Sequence, residues 1–269
     1  GKYHSDMNSR ETLLTELNVL EEFTPLVPKD FRDAAIVMLG NLHPSVQNSV
    51  LDQMEKKPKL VILDTMNFWM DTTLQALHSI LKRVDVITIN DEEARQLSGE
   101  QSLVNAARVI HAMGPKYVVI KKGEHGALLL NKEKMFYAPA LPLAEVYDPT
   151  GAGDTFAGGF AGYLSQADDI SFEKMKNATI LGANLASFCV EKFGTERMES
   201  LKSNEIQERF QMQMSLSISM MHNWITSGAG PNWWGATTNY PGDGGDVDSG
   251  VPNTGIGVGG GVDGGHESA

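Results

Sequence analysis

Beyond residue 33 the chain alternates between short apolar runs and longer stretches whose apolar positions recur at helical spacing. The runs 34–39, 59–64, 85–90 and 117–121 are of strand length and carry few polar positions, whereas 45–56, 71–83, 92–97 and 103–113 read as amphipathic helices. A strand that is apolar on both faces must be covered on both, so the pattern predicts a parallel sheet between two helical layers, an α/β fold. A turn over 122–127 leads to a further strand at 128–130. Residues 156–164 then read as a buried helix, and 172–192 as a long helical region whose small residues Ala178, Gly182, Ala183 and Ala186 permit close packing.

Ligands of such sheets bind beyond the carboxyl ends of the strands. That rule selects Asn41, Asp64 with Asn67, and Asn90 with Glu93 as polar residues in the right place. Each also has a plain structural reading. An Asn followed by acidic residues is a sufficient helix start, and Asp64 and Asn67 suit a strand-end turn.

A formal net charge of −12 argues against a nucleic-acid footprint, which calls for clustered Lys and Arg. A small anionic ligand stays compatible, because local dipoles or a metal can overcome net charge. Cys189 is the single cysteine, which excludes an internal disulfide and suits a reducing compartment. No apolar run reaches membrane-span length and no signal-peptide layout opens the chain, so a cytoplasmic protein is expected.

The most informative stretch is Asp148-Pro149-Thr150-Gly151-Ala152-Gly153-Asp154-Thr155-Phe156-Ala157-Gly158-Gly159-Phe160. It reads as a glycine turn feeding a helix N-terminus. Gly151 and Gly153 let bare N–H groups approach a ligand, and first-turn donors with the helix dipole make a site for a phosphate oxygen. Asp154 at the mouth of such a hole repels the anion but is well placed to take a proton from an attacking hydroxyl. An Asp there can also simply cap the helix. No Gly-x-x-x-x-Gly-Lys-Ser/Thr is present, so a P-loop NTPase is not supported.

Position by position the stretch resembles the C-terminal signature of the ribokinase-like, or phosphofructokinase-B-type, carbohydrate kinases. The resemblance implies a ribokinase-like α/β/α sandwich and ATP-dependent phosphorylation of a hydroxyl on a sugar or nucleoside, with a homodimer as one option. It implies Asp154 as general base and the backbone of Gly151, Ala152 and Gly153 as anion hole. Asp148 and Thr150 would then lie near a monovalent-cation site, K+ in some members. Asn90-Asp91-Glu92-Glu93 is similar to the family's Asn-x-x-Glu motif, in which Glu93 with Asn90 would help place Mg2+ and the phosphates. Lys122, Gly123 and Gly126 lie on a turn that runs along the nucleotide in the family. Ala183-Asn184-Leu185-Ala186 would set Asn184 near the adenine, unless it is an exposed helix residue, and the Gly194 loop would close that pocket.

The resemblance covers roughly residues 1–210. A kinase domain is expected over 1–211, with 1–20 a remnant of a small β-lid; residues 11–20, where strand and helix signals conflict, are read as strand on that ground. The family's first strands, most of its lid and its substrate-contacting Gly-Gly motif are not found. A fragment that binds nucleotide without turning it over is therefore the alternative. Residues 212–269 are Met- and Ser-rich, then dominated by Gly, Asp, Asn and Pro, and are expected to form a disordered tail.

Overall fold

The structure of the chain, a computed structural model, describes Lys2–Tyr3, Arg10–Glu11 and residues 13–226. Strands β1 (Lys2–Tyr3) and β2 (Arg10–Glu11) pair antiparallel. The main sheet contains β3 (Ile36–Leu39), β4 (Leu60–Asp64), β5 (Val86–Asn90), β6 (Tyr117–Lys121), β7 (Ala127–Leu130) and β8 (Met135–Ala138), ordered as in sequence. The first four run parallel, and β7 and β8 fold back antiparallel as hairpins.

The helices are α1 (Pro44–Asp52), α2 (Asn67–Thr72), α3 (Leu74–Leu81), α4 (Asp91–Ser98), α5 (Leu103–Met113), α6 (Ala152–Ser165), α7 (Phe172–Cys189), α8 (Glu196–Ser200) and α9 (Ser203–Thr226). Successive strand residues point to opposite faces, and both faces are filled. Val61, Leu63, Ile87, Ile89, Val118 and Ile120 pack with Leu77 and Ile80 of α3, Ala94 of α4 and Ile110 of α5. Leu60, Ile62, Val86 and Val119 pack on the other side with Phe156 and Phe160 of α6 and Met175 of α7. Each fully buried aliphatic side chain contributes about 1.5–3 kcal/mol, so this two-sided pattern commits the chain to the α/β/α sandwich that the periodicity predicts.

Gly159 and Gly182 allow the close approach of α6 and α7. A Cβ on Gly182 would stand 2.8 Å from the Phe156 carbonyl oxygen, and one on Gly159 2.8 Å from Leu185 Cδ1.

Several expected boundaries move. The helix expected over 71–83 starts earlier and breaks at Thr73, giving α2 and α3. The helical region expected to reach residue 192 ends at Cys189. Of the strand expected over 11–20, Glu11 lies in β2 and Asn18–Leu20 is a 3-10 turn; among the described residues, 13–20 pair with no strand. The boundary expected at 211/212 falls inside α9, where Gln213 is buried and its Nε2 donates to the Pro139 carbonyl at 2.7 Å. The chain divides into units 1–223 and 224–269. Of the second, Trp224–Thr226 ends α9; the rest of the expected tail lies outside the described residues.

Candidate active site

Three parallel strands end together with polar residues: β4 at Asp64, β5 at Asn90 and β6 at Lys121. Asn90 is the register partner of Lys121, and Asp64 that of Thr88. The N-terminus of α6 arrives at this edge, since Gly153 lies against the Lys121 ammonium.

The loop before α6 is tied down at both ends. Tyr147 N–H donates to the Val190 carbonyl at 2.8 Å, and Asp148 Oδ1 accepts from Thr150 N–H at 2.9 Å. The Thr150 hydroxyl first, then the Thr150 N–H, hold the Asp148 carboxyl below the usual carboxylate range against slight burial, and the Gly194 N–H adds to their pull. Gly151 takes φ +82°, in the left-handed region that a Cβ disfavours, and turns the chain into the helix. Ala152 N–H donates back to Pro149 O at 3.1 Å and Thr155 N–H to Gly151 O at 2.8 Å. The N–H groups of Gly153 and Asp154 have no acceptor among the described hydrogen bonds, and no side chain caps the helix.

Two expectations are thereby sharpened. Of the three amides expected to form the hole, that of Ala152 serves the turn, whereas those of Gly151 and Gly153, with that of Asp154, have no acceptor among the described hydrogen bonds. Asp154 is not a capping residue: Gly151 occupies the N-cap, and the Asp154 side chain is exposed in the first turn. A carboxylate beside open amides, reachable from solvent, has the geometry of a proton acceptor next to an anion site.

The sequence reading passed over Lys121. Its Nζ lies 3.4 Å from both Oδ1 and Oδ2 of Asp64. Asp64 is 5% exposed, and its Oδ1 also accepts from Thr65 N–H at 3.0 Å. Burial pushes the Asp64 carboxyl above its ordinary range; Lys121 pulls it down and the Asp154 charge pushes it up. The two carboxylates and the ammonium therefore act as one electrostatic group. A lysine closing an otherwise apolar strand was the available signal. Asn67 belongs elsewhere: it is exposed at the start of α2, with its Oδ1 accepting from Phe68 N–H.

Asn90 and Glu93 form a reciprocal capping box at α4. Asn90 Oδ1 accepts from Glu93 N–H at 2.7 Å, and Glu93 Oε2 accepts from Asn90 N–H at 2.8 Å. The structural reading of this pair is thus realised, and it holds the Glu93 carboxylate at the sheet edge. Among the described residues no group of three or more His, Cys, Asp or Glu side chains is arranged to hold a metal. A lone carboxylate such as that of Glu93 is compatible with Mg2+, which is commonly held by one or two carboxylates together with phosphate oxygens and water.

Lys122 N–H donates to Gly126 O at 2.8 Å, closing the turn in which Gly123 has φ +53° and Gly126 φ +88°. A Cβ on Gly126 would lie 2.1 Å from the Ala138 carbonyl oxygen, so β8 alone demands this glycine. Asn184 is fully buried, which overturns its reading as an exposed helix residue; its Nδ2 donates to Gln213 Oε1 at 3.4 Å, and its Oδ1 has no partner among the described residues. Gly194 is exposed at φ +59°, at the turn that α8 follows. A recess of about 150 Å³ near the ends of β3 and β4 is lined by Asn41, His43, Met66 and Trp69, and none of the α6 loop residues enters it. Among the described residues no helix is long and apolar enough to cross a membrane.

Comparison with known proteins identifies relatives of the chain. The chain is 33% identical over 168 residues to a cytidine kinase of Thermococcus kodakarensis, a match covering 60% of this chain and 59% of that protein. Its fold superposes with a TM-score of 0.59 on the aminoimidazole riboside kinase of Salmonella enterica, complexed with aminoimidazole riboside and an ATP analog, at 21% identity over 70% of this chain and 67% of that one. It superposes on Arabidopsis thaliana ribokinase, complexed with ribose and ATP, with a TM-score of 0.57 at 26% identity, covering 70% and 61%. The chain thus spans about six-tenths of the length of the curated cytidine kinase. The sequence model of the pfkB family carbohydrate kinases matches residues 7–201, and the chain belongs to that family.

Proposed function

We propose that the chain carries the phosphoryl-transfer site of an ATP-dependent kinase acting on a hydroxyl of a sugar or nucleoside. The observation that carries this is the exposed Asp154 carboxylate in the first turn of α6, beside N–H groups that have no acceptor among the described hydrogen bonds. Asp154 takes the proton of the acceptor hydroxyl as its oxygen bonds to the γ-phosphorus and the bond to the bridging oxygen of ADP breaks. The open amides of the loop, centered on Gly153, hold the charge that builds on the transferring phosphoryl oxygens; one such donor is typically worth about 3–4 kcal/mol. A positioned base contributes roughly 10²–10⁴ in rate.

Mg2+ neutralises phosphate charge when bound, and Glu93, held in place by Asn90, is the carboxylate that would meet it. Asp148 and Thr150 are the residues that would border a monovalent cation such as K+. Lys122, Gly123 and Gly126 would line the nucleotide along the β6–β7 turn, and Gly194 would close over it. Asn184 is buried and joined to Gln213, whose Nε2 reaches the Pro139 carbonyl, and would shape the adenine pocket through Gln213 rather than from an exposed face. The names of the cytidine kinase, the aminoimidazole riboside kinase and the ribokinase point to pentose-bearing acceptors, so ribose, cytidine and aminoimidazole riboside head the panel.

The test is to incubate the full chain with Mg-ATP and that panel, following ADP release and the phosphorylated product. Product formed on one acceptor supports the reading. Its absence across the panel, with ATP bound, would instead support the second reading, a nucleotide-binding chain without turnover. The chain's coverage of 59% of the cytidine kinase is the observation that favours that alternative.

A further inference from the structure

Lys121 is a cation that the family signature does not contain, and its surroundings suggest a ligand beyond Asp64. Its Nζ lies 3.2 Å from where a Cβ on Gly153 would stand, so the ammonium rests against the anion loop at the residue whose N–H is open. Its pairing with Asp64 is long: 3.4 Å to each oxygen, against about 2.7–2.9 Å for a well-formed charge-assisted bond. An ammonium has three donors, and the Lys121 side chain keeps 18% exposure.

Asp64 is rigidly set. Its carboxylate takes the Thr65 N–H and its carbonyl takes the Gln47 Nε2 donor at 3.1 Å, so exchange of partners falls to the flexible lysine. Electrostatics points the same way. A nucleotide phosphate at the loop would meet Asp154 and Asp64, two like charges in one field, and Lys121 is the cation that joins Asp64 there.

We propose that Lys121 is a phosphate-binding residue of this site: it exchanges the Asp64 carboxylate for the oxygens of the nucleotide's terminal phosphate beside Gly153, and Asp64 is the positioning residue that holds it ready before the nucleotide binds. This rests on the phosphotransfer reading above.

The test is calorimetric titration of the full chain and its variants with Mg-ATP and, separately, with AMP, which lacks the terminal phosphates. Lys121→Met should weaken ATP about tenfold to a hundredfold, the range for a hydrogen bond to a charged group, and leave AMP unchanged. Lys121→Arg, which keeps the charge, should recover most of the ATP affinity. Asp64→Asn should tighten ATP by about twofold or more, because the competing carboxylate is gone; a purely structural ion pair would give no such gain. An ATP-to-AMP affinity ratio in Lys121→Met equal to that of the unaltered chain overturns the proposal. Should Lys121→Met fail to fold, Asp64→Asn decides: unchanged or weaker ATP binding overturns the exchange. Failure of the unaltered chain to bind ATP at all would overturn the phosphotransfer reading and this inference with it, an outcome distinct from intact ATP binding that ignores Lys121.

Discussion

At Gly126 the backbone holds φ +88° with the Ala138 carbonyl 2.1 Å from any added Cβ, whereas Gly162 faces open space on α6. Gly126→Ala should therefore destabilise the fold by about 2–4 kcal/mol through strain and overlap. Gly162→Ala should stabilise it by about 0.5–1 kcal/mol, the ordinary helix-propensity gain. Thermal unfolding of the two variants checks both signs; a neutral Gly126→Ala would show that the β7–β8 hairpin does not need this approach. At this scale the sequence was most legible where chemistry is local. Gly151, Gly153 and Asp154 stand within one turn, so their spacing alone indicates a loop entering a helix. The Lys121 and Asp64 pair was not legible, because 57 residues separate them and only strand register brings them together.

The α4 capping box gives one element two duties that substitutions can separate. Asn90→Ala removes the cap and should cost about 1 kcal/mol of stability. Glu93→Gln keeps an oxygen for the Asn90 N–H, as capping boxes accept either residue, so stability should change by less than about 0.5 kcal/mol. The same variant should lose most of the magnesium dependence of ATP binding if the carboxylate meets the ion. Titrating ATP with and without Mg2+ decides it: an unchanged magnesium response in Glu93→Gln would leave Glu93 a capping residue only. The order from β3 to β7 with its helices was readable because those strands are apolar runs and each early helix is apolar on one side, whereas β8, exposed at alternate positions, was not legible as a buried strand. Helix ends were less readable. The break at Thr73 and the stop at Cys189 depend on packing that periodicity does not report.

Across the molecule, α7, α8 and α9 are joined by charge. Arg197 Nε and Arg209 Nη2 donate to Glu191 at 2.8 and 2.6 Å, Arg197 Nη2 donates to Glu205 at 2.6 Å, and Arg209 stacks over Phe188. Burial pushes the Glu191 carboxyl up, but the guanidiniums of Arg197 and Arg209 outweigh it and leave the group below its ordinary value of 4.5; Arg197 likewise holds Glu205 down. A depressed carboxyl stabilises the fold above its unfolded value, and that contribution is lost as pH falls through the folded one. Melting temperature should thus drop as the pH is lowered below about 4.5. Glu191→Gln should melt a few degrees lower at neutral pH and show a flatter acid slope, whereas parallel slopes would remove the network from the account. Composition does not report that Gln213, within a Met- and Ser-rich stretch read as tail, is buried in α9. The central claim concerns Asp154, and the most direct measurement sets ATP affinity beside phosphoryl-transfer rate in the full chain and in Asp154→Asn. A general base acts in the transition state, so the variant should bind Mg-ATP within about threefold of the unaltered chain while transfer to the acceptor falls by roughly 10²–10⁴. A variant that keeps more than about a tenth of the transfer rate would contradict the assignment of Asp154 as the base.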